Sequence, residues 1–358
     1  MKISLIIPSR NNLKYLKWSY DSIRKNQGNH RVEICVADDF SDDGTWEWCQ
    51  RMVDTDKYFR AIRNYGPERQ GLVILNDKLI DEVATNDICM VFHADMYLCP
   101  GALDSIEDHL KDKTIVSLTR IEPPLHPEGA EKIVKAFGIE PEEFNEQTLL
   151  DYVKEYEPEV ATTEGIFAPW AFYKKDFQEI NGHDPLFAPQ SKEDSDIFNR
   201  FQLNGIKFIQ TWEGFVYHMT SRGSRFNPHS GGAPGKNSDE WLHTTTTNMK
   251  KFIKKWGTPV QHDEFMNPIV SSVYKKSINV INSNPQLDED LEPWFNGGKD
   301  IIVEIDANNF TTQDFQLIQK LNDIVKDSGE IGKFKIGNLT VVINSLETYE
   351  KDLIICKK

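Results

Sequence analysis

Val32-Glu33-Ile34-Cys35-Val36-Ala37-Asp38-Asp39-Phe40-Ser41-Asp42-Asp43-Gly44-Thr45 is the stretch on which the fold turns. Val32 to Ala37 is a short, nearly continuous apolar run, the pattern of a strand buried on both faces. The acids behind it stop the strand, and Gly44 opens a helix carrying Trp46, Cys49 and Val53 on one face. Upstream, Lys2 to Pro8 reads as another buried strand, followed by a helix with Leu13, Leu16, Tyr20 and Ile23 at near-helical spacing. Downstream, Leu72, Leu75, Leu79 and Val83 mark a further helix, and Asp87 to Phe92 a third buried strand that ends in His93-Ala94-Asp95. Strands alternating with helices predict a mostly parallel sheet covered on both faces. Such sheets bind ligands beyond the carboxyl ends of their strands. Ser9-Arg10-Asn11, Asp38-Asp39 and His93-Ala94-Asp95 each follow a strand, so all three are expected to meet at one edge.

The rest of the chain divides by composition. Pro123 to Glu159 is acidic and proline-punctuated, an expected helical insertion over the sheet (121–160). Ile166 to Phe172 and Ile206 to Gln210 are strand-like, and Glu193 to Leu203 reads as a helix. The segment 219–240 holds Gly223, Gly231, Gly232 and Gly235 without apolar periodicity, which predicts a mobile loop. Met249, Phe252, Ile253 and Trp256 then fit one helix face. The stretch 261–297 reads as a linker, with Asn284-Pro285 and an acidic run. From 298 to 358 a strand–helix–strand pattern predicts a small α/β unit with a helix over Thr312 to Val325. About 60 residues make a marginal core, so this unit is expected to shape the acceptor side or to mediate self-association into a homo-oligomer.

Charge and cysteine content exclude several classes. Of 358 residues, 41 are Lys or Arg and 56 Asp or Glu, a formal net charge of −15. That balance opposes a nucleic-acid surface, which needs clustered bases. The longest apolar runs are strand-sized, so no membrane span is expected. The N-terminus runs directly into a strand-like segment with no leader pattern, which points to the cytosol. The five cysteines, Cys35, Cys49, Cys89, Cys99 and Cys356, are odd in number and have no CxxC spacing. Free thiols are the expectation.

Several polar clusters carry a plain reading beside a chemical one. Asp42 and Asp43 suit helix capping, whereas Asp39 sits earlier, where a carboxylate would accept from a base N–H or a ribose hydroxyl. Asp95, at a buried strand end, needs a cation or donor beside it and suits a hard metal that bridges to a diphosphate. Glu193-Asp194-Ser195-Asp196 opens a helix, where acids are favoured by the dipole. His218 closes a strand ahead of Ser221-Arg222-Gly223-Ser224-Arg225.

In this order the segments resemble family 2 glycosyltransferases of the GT-A fold. Ser4-Leu5-Ile6-Ile7-Pro8-Ser9-Arg10-Asn11 is similar to that family's first strand, and Asp38 to Thr45 to its DDxSxDGT motif. Asn64-Tyr65-Gly66, Asn76, Ala168 to Phe177 and Asn181 to Asp184 match further segments. Glu193-Asp194-Ser195-Asp196 with Arg200 and Gly205 matches its EDxD…R…G helix, and the likeness covers about residues 1–220. It implies an α/β chain: a GT-A domain over 1–260, Rossmann-like, with a mostly parallel sheet and helices on both faces, plus the small C-terminal domain. Asp39 with the backbone near Pro8, Ser9 and Arg10 would hold the nucleotide base. Asp95 would be the metal-binding acid of the DxD motif, whose first position here is His93, with Ala94 between. His218 would be a second metal ligand and Asp194 the general base, with Glu193 beside it facing the donor. Arg69 would reach the base or the diphosphate, and Arg222, Arg225 and Lys236 would close over it.

The activity implied is transfer of a sugar from a nucleoside-diphosphate sugar, UDP-sugar favoured, to a glycan or other hydroxyl acceptor. The mixed oxygen and nitrogen ligand set suits Mn²⁺ or Mg²⁺. One base without a second nucleophilic carboxylate implies inversion, and the missing QxxRW motif implies single addition. Two alternatives stand beside this reading. A sugar-1-phosphate nucleotidylyltransferase would want a glycine-rich basic loop after the first strand, where this chain has Pro8-Ser9-Arg10-Asn11-Asn12. A catalytically silent nucleotide-sugar-binding module is motivated by His93 and opposed by the intact Glu193-Asp194 pair.

Overall fold

The computed structural model describes residues 1–223, 225–256 and 259–270, and beyond these five strand segments. Along the chain lie β1 (Lys2–Ser9), α1 (Leu13–Asn26), β2 (Arg31–Asp39), α2 (Thr45–Thr55), β3 (Phe59–Asn64) and α3 (Gly71–Lys78). Next come β4 (Ile88–Val91), β5 (Met96–Leu98), α4 (Ala102–His109), β6 (Thr114–Glu122), β7 (Lys132–Val134) and α5 (Glu146–Glu155). β8 (Thr162–Thr163), β9 (Trp170–Tyr173), α6 (Lys174–Glu179), α7 (Glu193–Leu203), β10 (Lys207–His218) and α8 (Asp239–Trp256) follow.

The sheet order is β3-β2-β1-β4-β9-β6-β10-β5, with β7 beside β6 and β8 beside β10. Ile3, Leu5, Ile6 and Ile7 are wholly buried, because β1 has helices on both faces and a parallel neighbour on each side. The strands from β3 to β4 are parallel, as expected, but β9 runs antiparallel between β4 and β6, and β5 antiparallel to β10. The sheet is therefore mixed. β3 went unforeseen in the sequence, so the strand ending near His93 is the fourth and not the third. On α2 the buried face is Trp48 and Cys49, while Val53 is exposed, one residue of rotation from the expected face. The described thiols, Cys35, Cys49, Cys89 and Cys99, are free and buried; the side chain of Cys356 lies outside the described residues.

The insertion contains β7, a 3₁₀ turn at Pro141–Glu143 and α5, and it buries Phe137 and Leu149 against Phe215 and Tyr217. The glycine-bearing loop after β10 is folded onto the strand ends. Phe226 is buried in it, and Ser238 donates its amide to the Arg225 carbonyl at 2.9 Å. Two compact units emerge, one of residues 1–244 with 262–268, the other of 245–261 with 269–358. The second contains a sheet of order β12-β11-β15-β14-β13, formed by β11 (Lys276–Ile281), β12 (Ile302–Ile305), β13 (Lys333–Ile336), β14 (Leu339–Ile343) and β15 (Leu353–Cys356). Its first strand falls inside the stretch read as linker. The helix expected over Thr312 to Val325 lies outside the described residues.

Candidate active site

Because β1, β2, β4 and β6 deliver their last residues to one side, the expected polar clusters do meet. Ser9, Asp39, Asp95, Glu122, Asp194 and His218 all line one cleft with about 470 Å³ of open space. Pro8, Arg10, Arg69, His93, Ala94, Glu193 and Arg225 line it too.

One corner gathers three side chains that could hold a cation. His93, Asp95 and His218 offer ligand atoms within 4.8 Å of one another. His218 Nδ1 is 2.8 Å from Glu122 Oε1, and that carboxylate is also bound by Arg120 at 3.1 Å and Lys132 at 3.1 Å. A proton on Nδ1 leaves Nε2 with its lone pair, facing Asp95 Oδ1 at 3.3 Å. Nε2 is buried and has no hydrogen-bond partner. A lone pair turned on a carboxylate is repulsive unless a positive charge lies between them. Either a proton or a metal ion satisfies that demand. As a proton site, His218 is raised to about 9: burial works against the charge, but Asp95 and Glu122 outweigh it. Burial alone would raise Asp95, yet His218 first and then His93 hold it well below the ordinary carboxylate range. His93 is pushed down to about 4 by burial and by His218, so its ring is neutral and free to ligate. A carboxylate behind a histidine beside an acid is a common support for a bound metal, and this donor set fits a divalent ion.

The start of α7 forms another part of the wall. Ser191 and Lys192 both take left-handed backbone (φ 76° and 72°), which turns the chain sharply into the helix. Glu193 is buried with Oε2 lacking a partner. Burial, then the charge of Asp194, raises Glu193 to about 8. Asp194 is also raised, first by burial, against the pull of His183 and Arg120. Asp196, by contrast, is structural: Arg200 Nε reaches it at 2.8 Å and the same guanidinium binds the carbonyls of Ile180 and Gly182. The turn before α7 packs on Gly71, where φ is 74° and a Cβ would collide with the Pro189 carbonyl.

The third wall organises the loop after β3. Asp39 accepts from Asn64 Nδ2 at 2.8 Å, Gln70 N at 3.0 Å and Gly71 N at 2.8 Å. Its carboxylate is thus largely committed to holding that loop, although it borders the cleft. Arg69 binds Gln190 at 2.6 Å and Glu240 at 2.7 Å, and Arg10 reaches the same Glu240 oxygen at 3.4 Å.

Two basic residues differ from expectation. Arg222 gives only its backbone N–H, 2.9 Å from Asp95 Oδ2; its buried guanidinium turns away to the Ile139 carbonyl and Glu140. Short of the cleft, it meets those acceptors in the insertion first. Lys236 does not line the cleft, because its backbone is tied to Ala233 in a tight turn. Arg225 does line it, its guanidinium 4.4 Å over the Trp241 ring.

Residues 4–164 match the family model for glycosyl transferase family 2. That stretch is similar to glycosyl transferase family 2. Abequosyltransferase RfbV of Salmonella typhimurium (strain LT2) is 30% identical over 123 residues, which is 33% of this chain and 35% of that protein. The chain therefore spans about a third of that relative's length. Among solved structures, GalNAc-T7 with UDP, GalNAc and Mn²⁺ gives a TM-score of 0.47 at 14% identity, over 61% of this chain and 44% of that one. S. aureus TarS 1-349 gives 0.44 at 15%, over 61% and 60%. Mannosyltransferase PcManGT from Pyrobaculum calidifontis, with GDP-Man and Mn²⁺, gives 0.45 at 14%, over 70% and 61%.

Sequence reading missed Arg120, Glu122 and Lys132, which line the same cleft. The signal was present in Thr119-Arg120-Ile121-Glu122: two charges at i and i+2 on a strand face, costly to bury without purpose.

Proposed function

We propose that the chain is a metal-dependent glycosyltransferase that moves a sugar from a nucleoside-diphosphate sugar to an acceptor hydroxyl, with inversion and one unit per acceptor. The observation that carries this reading is a single cleft lined both by three possible cation ligands, His93, Asp95 and His218, and by an acid pair, Glu193 and Asp194, that burial makes proton-hungry. In the step proposed, Asp194 takes the proton as the acceptor oxygen bonds to the anomeric carbon. The bond from that carbon to the diphosphate oxygen breaks, and the nucleoside diphosphate leaves. A carboxylate with a raised pKa is a stronger base, and a match to the working pH favours general-base catalysis. His93, Asp95 and His218 would hold Mn²⁺ or Mg²⁺, which when bound would neutralise charge on the diphosphate. Asp39 holds the loop against which the nucleotide would lie, the end of β1 lines the same cleft, and a UDP donor is favoured. Function in the cytosol and self-association through the C-terminal unit belong to the same proposal. Among the described residues, no helix is long and apolar enough to cross a membrane.

The test is release of nucleoside diphosphate from a panel of UDP-, GDP- and dTDP-sugars by the full chain, with Mn²⁺, with Mg²⁺ and with chelator. Metal-dependent release that Asp95→Ala abolishes is the expected result. No release from any donor, and no thermal stabilisation by any donor with metal, would overturn the proposal.

A further inference from the structure

The turn at 262–268 brings one side chain into the cleft at a conformational cost. Met266 has φ 66°, in the left-handed region. A long side chain is disfavoured there, whereas glycine or asparagine adopts it readily. The turn is nonetheless held firmly. Asp263 accepts from the amides of Phe265 and Asn267 at 2.9 Å each and from Asn267 Nδ2 at 2.8 Å. His262 bridges to Pro268, and the Ile166 amide donates to the Phe265 carbonyl at 3.3 Å. If only a turn were needed, glycine would make it without strain. Methionine instead places a flexible thioether on the cleft wall. Persistent strain of this kind concentrates where ligands are gripped.

Met266 is not alone. Trp241 and Phe167 line the same cleft, both half-buried. Each ring carries a guanidinium, Arg225 at 4.4 Å from Trp241 and Arg120 at 3.8 Å from Phe167. Nothing in the donor chemistry uses these three apolar groups. A pyranose ring has a C–H face and a hydroxyl rim, so it can satisfy an apolar wall while presenting a nucleophilic hydroxyl to Asp194. We propose that Met266, with Trp241 and Phe167, forms the acceptor subsite, that it takes a glycoside by the apolar face of its ring, and that Met266 is a positioning residue for that acceptor. This deepens the transferase reading and rests on it for the acceptor role.

The experiment compares the full-length wild type with Met266→Gly and Trp241→Ala, using p-nitrophenyl and methyl pyranosides as probe acceptors. Glycine suits the left-handed turn, so Met266→Gly should unfold at no lower temperature than wild type. Its acceptor KM should rise about tenfold or more, as when a hydrophobic pocket loses contacts, while kcat stays within about twofold. Saturation transfer from protein to pyranoside ring protons should appear in wild type without any donor and weaken in both variants. That readout stands even if donor turnover fails, so the two proposals fail separately. Unchanged acceptor KM and unchanged saturation transfer in both variants would overturn the subsite. Saturation transfer to no pyranoside, with transfer instead to a peptide or lipid hydroxyl, would overturn the glycoside assignment.

Discussion

Two pairs of acids sit at the same edge of the sheet, and their chemistry diverges. Asp95 and Glu122 are buried, and so is Glu193, with Asp194 at the cleft lip beside it. Burial raises a carboxyl in every case. Around Glu122 lie His218, Arg120 and Lys132, and around Asp95 lie His218 and the Arg222 amide, so both pKa values fall far below the ordinary. For Glu193 and Asp194 burial outweighs the positive groups around them, Lys192 and Arg69 for the first and His183 and Arg120 for the second, and both rise. Donors in direct contact, not depth, separate the lowered pair from the raised one.

The largest break in that comparison is Asp194→Asn. The amide keeps the shape but takes no proton, so transfer should fall roughly 10²–10⁴-fold, while donor binding by calorimetry stays near wild type. Undiminished turnover would remove Asp194 from the chemistry. On the other pair, Asp95→Ala and His218→Ala should each weaken metal-dependent nucleotide binding, the first more severely. Glu122→Gln, which leaves His93, Asp95 and His218 in place, should cost about 10–100-fold in Mn²⁺ affinity. Equal Mn²⁺ affinity in all three would move the ion elsewhere.

Titration sharpens the same contrast. With a raised base, kcat/KM of the wild type should climb as pH rises across neutrality, the apparent value belonging to the coupled pair. Glu193→Gln removes the like charge beside Asp194 and should shift that limb to lower pH. Stability moves oppositely. The folded Glu193 holds its proton to about 8 against an ordinary value of 4.5, so the folded state binds more protons between those values. Its contribution is complete below the lower value and is lost as pH rises through the upper. Glu193→Gln should therefore leave the melting temperature almost unchanged near about pH 4 and raise it relative to wild type near about pH 9. A variant equally destabilised at both would show that Glu193 is an ordinary packing group.

How much of this was legible follows from what sets each feature. β1, β2, α7 and the ends at Asp39, Asp95 and His218 are local patterns, and a buried strand or a capped helix announces itself within about ten residues. Glu122 was hidden because its role exists only through β6 lying beside β10, about ninety residues later: Val216 pairs with Arg120 and Tyr217 with Ile121. Strand adjacency of that range leaves no periodic trace. Asp39 shows a related split. Its position at the cleft is local, but its saturation depends on Asn64, Gln70 and Gly71 folding back. Arg222 was misassigned because glycines around it suggested reach, whereas the insertion supplied Ile139 and Glu140 nearby. Met266 carried no signal at all, since a left-handed turn built on Asp263 is usually looked for at glycine or asparagine.

The smallest expected effect concerns the acidic surface itself. A net charge of −15 is unfavourable for an anionic donor, and Glu240 brings that field into the cleft mouth. Its Oε1 is 2.7 Å from Arg69 and 3.4 Å from Arg10, so it already occupies the two guanidinium groups a diphosphate would seek. Glu240 is 41% exposed, and a pair this open is worth only about 0.2–1 kcal/mol. Glu240→Gln keeps the side-chain length and removes the competing charge. Donor KM should then fall about two- to fivefold with kcat unchanged, and the gain should shrink as added salt screens the wild-type pair. A higher donor KM in the variant would mean the reverse: that Glu240 orients Arg10 and Arg69 for the ligand and does not compete with it.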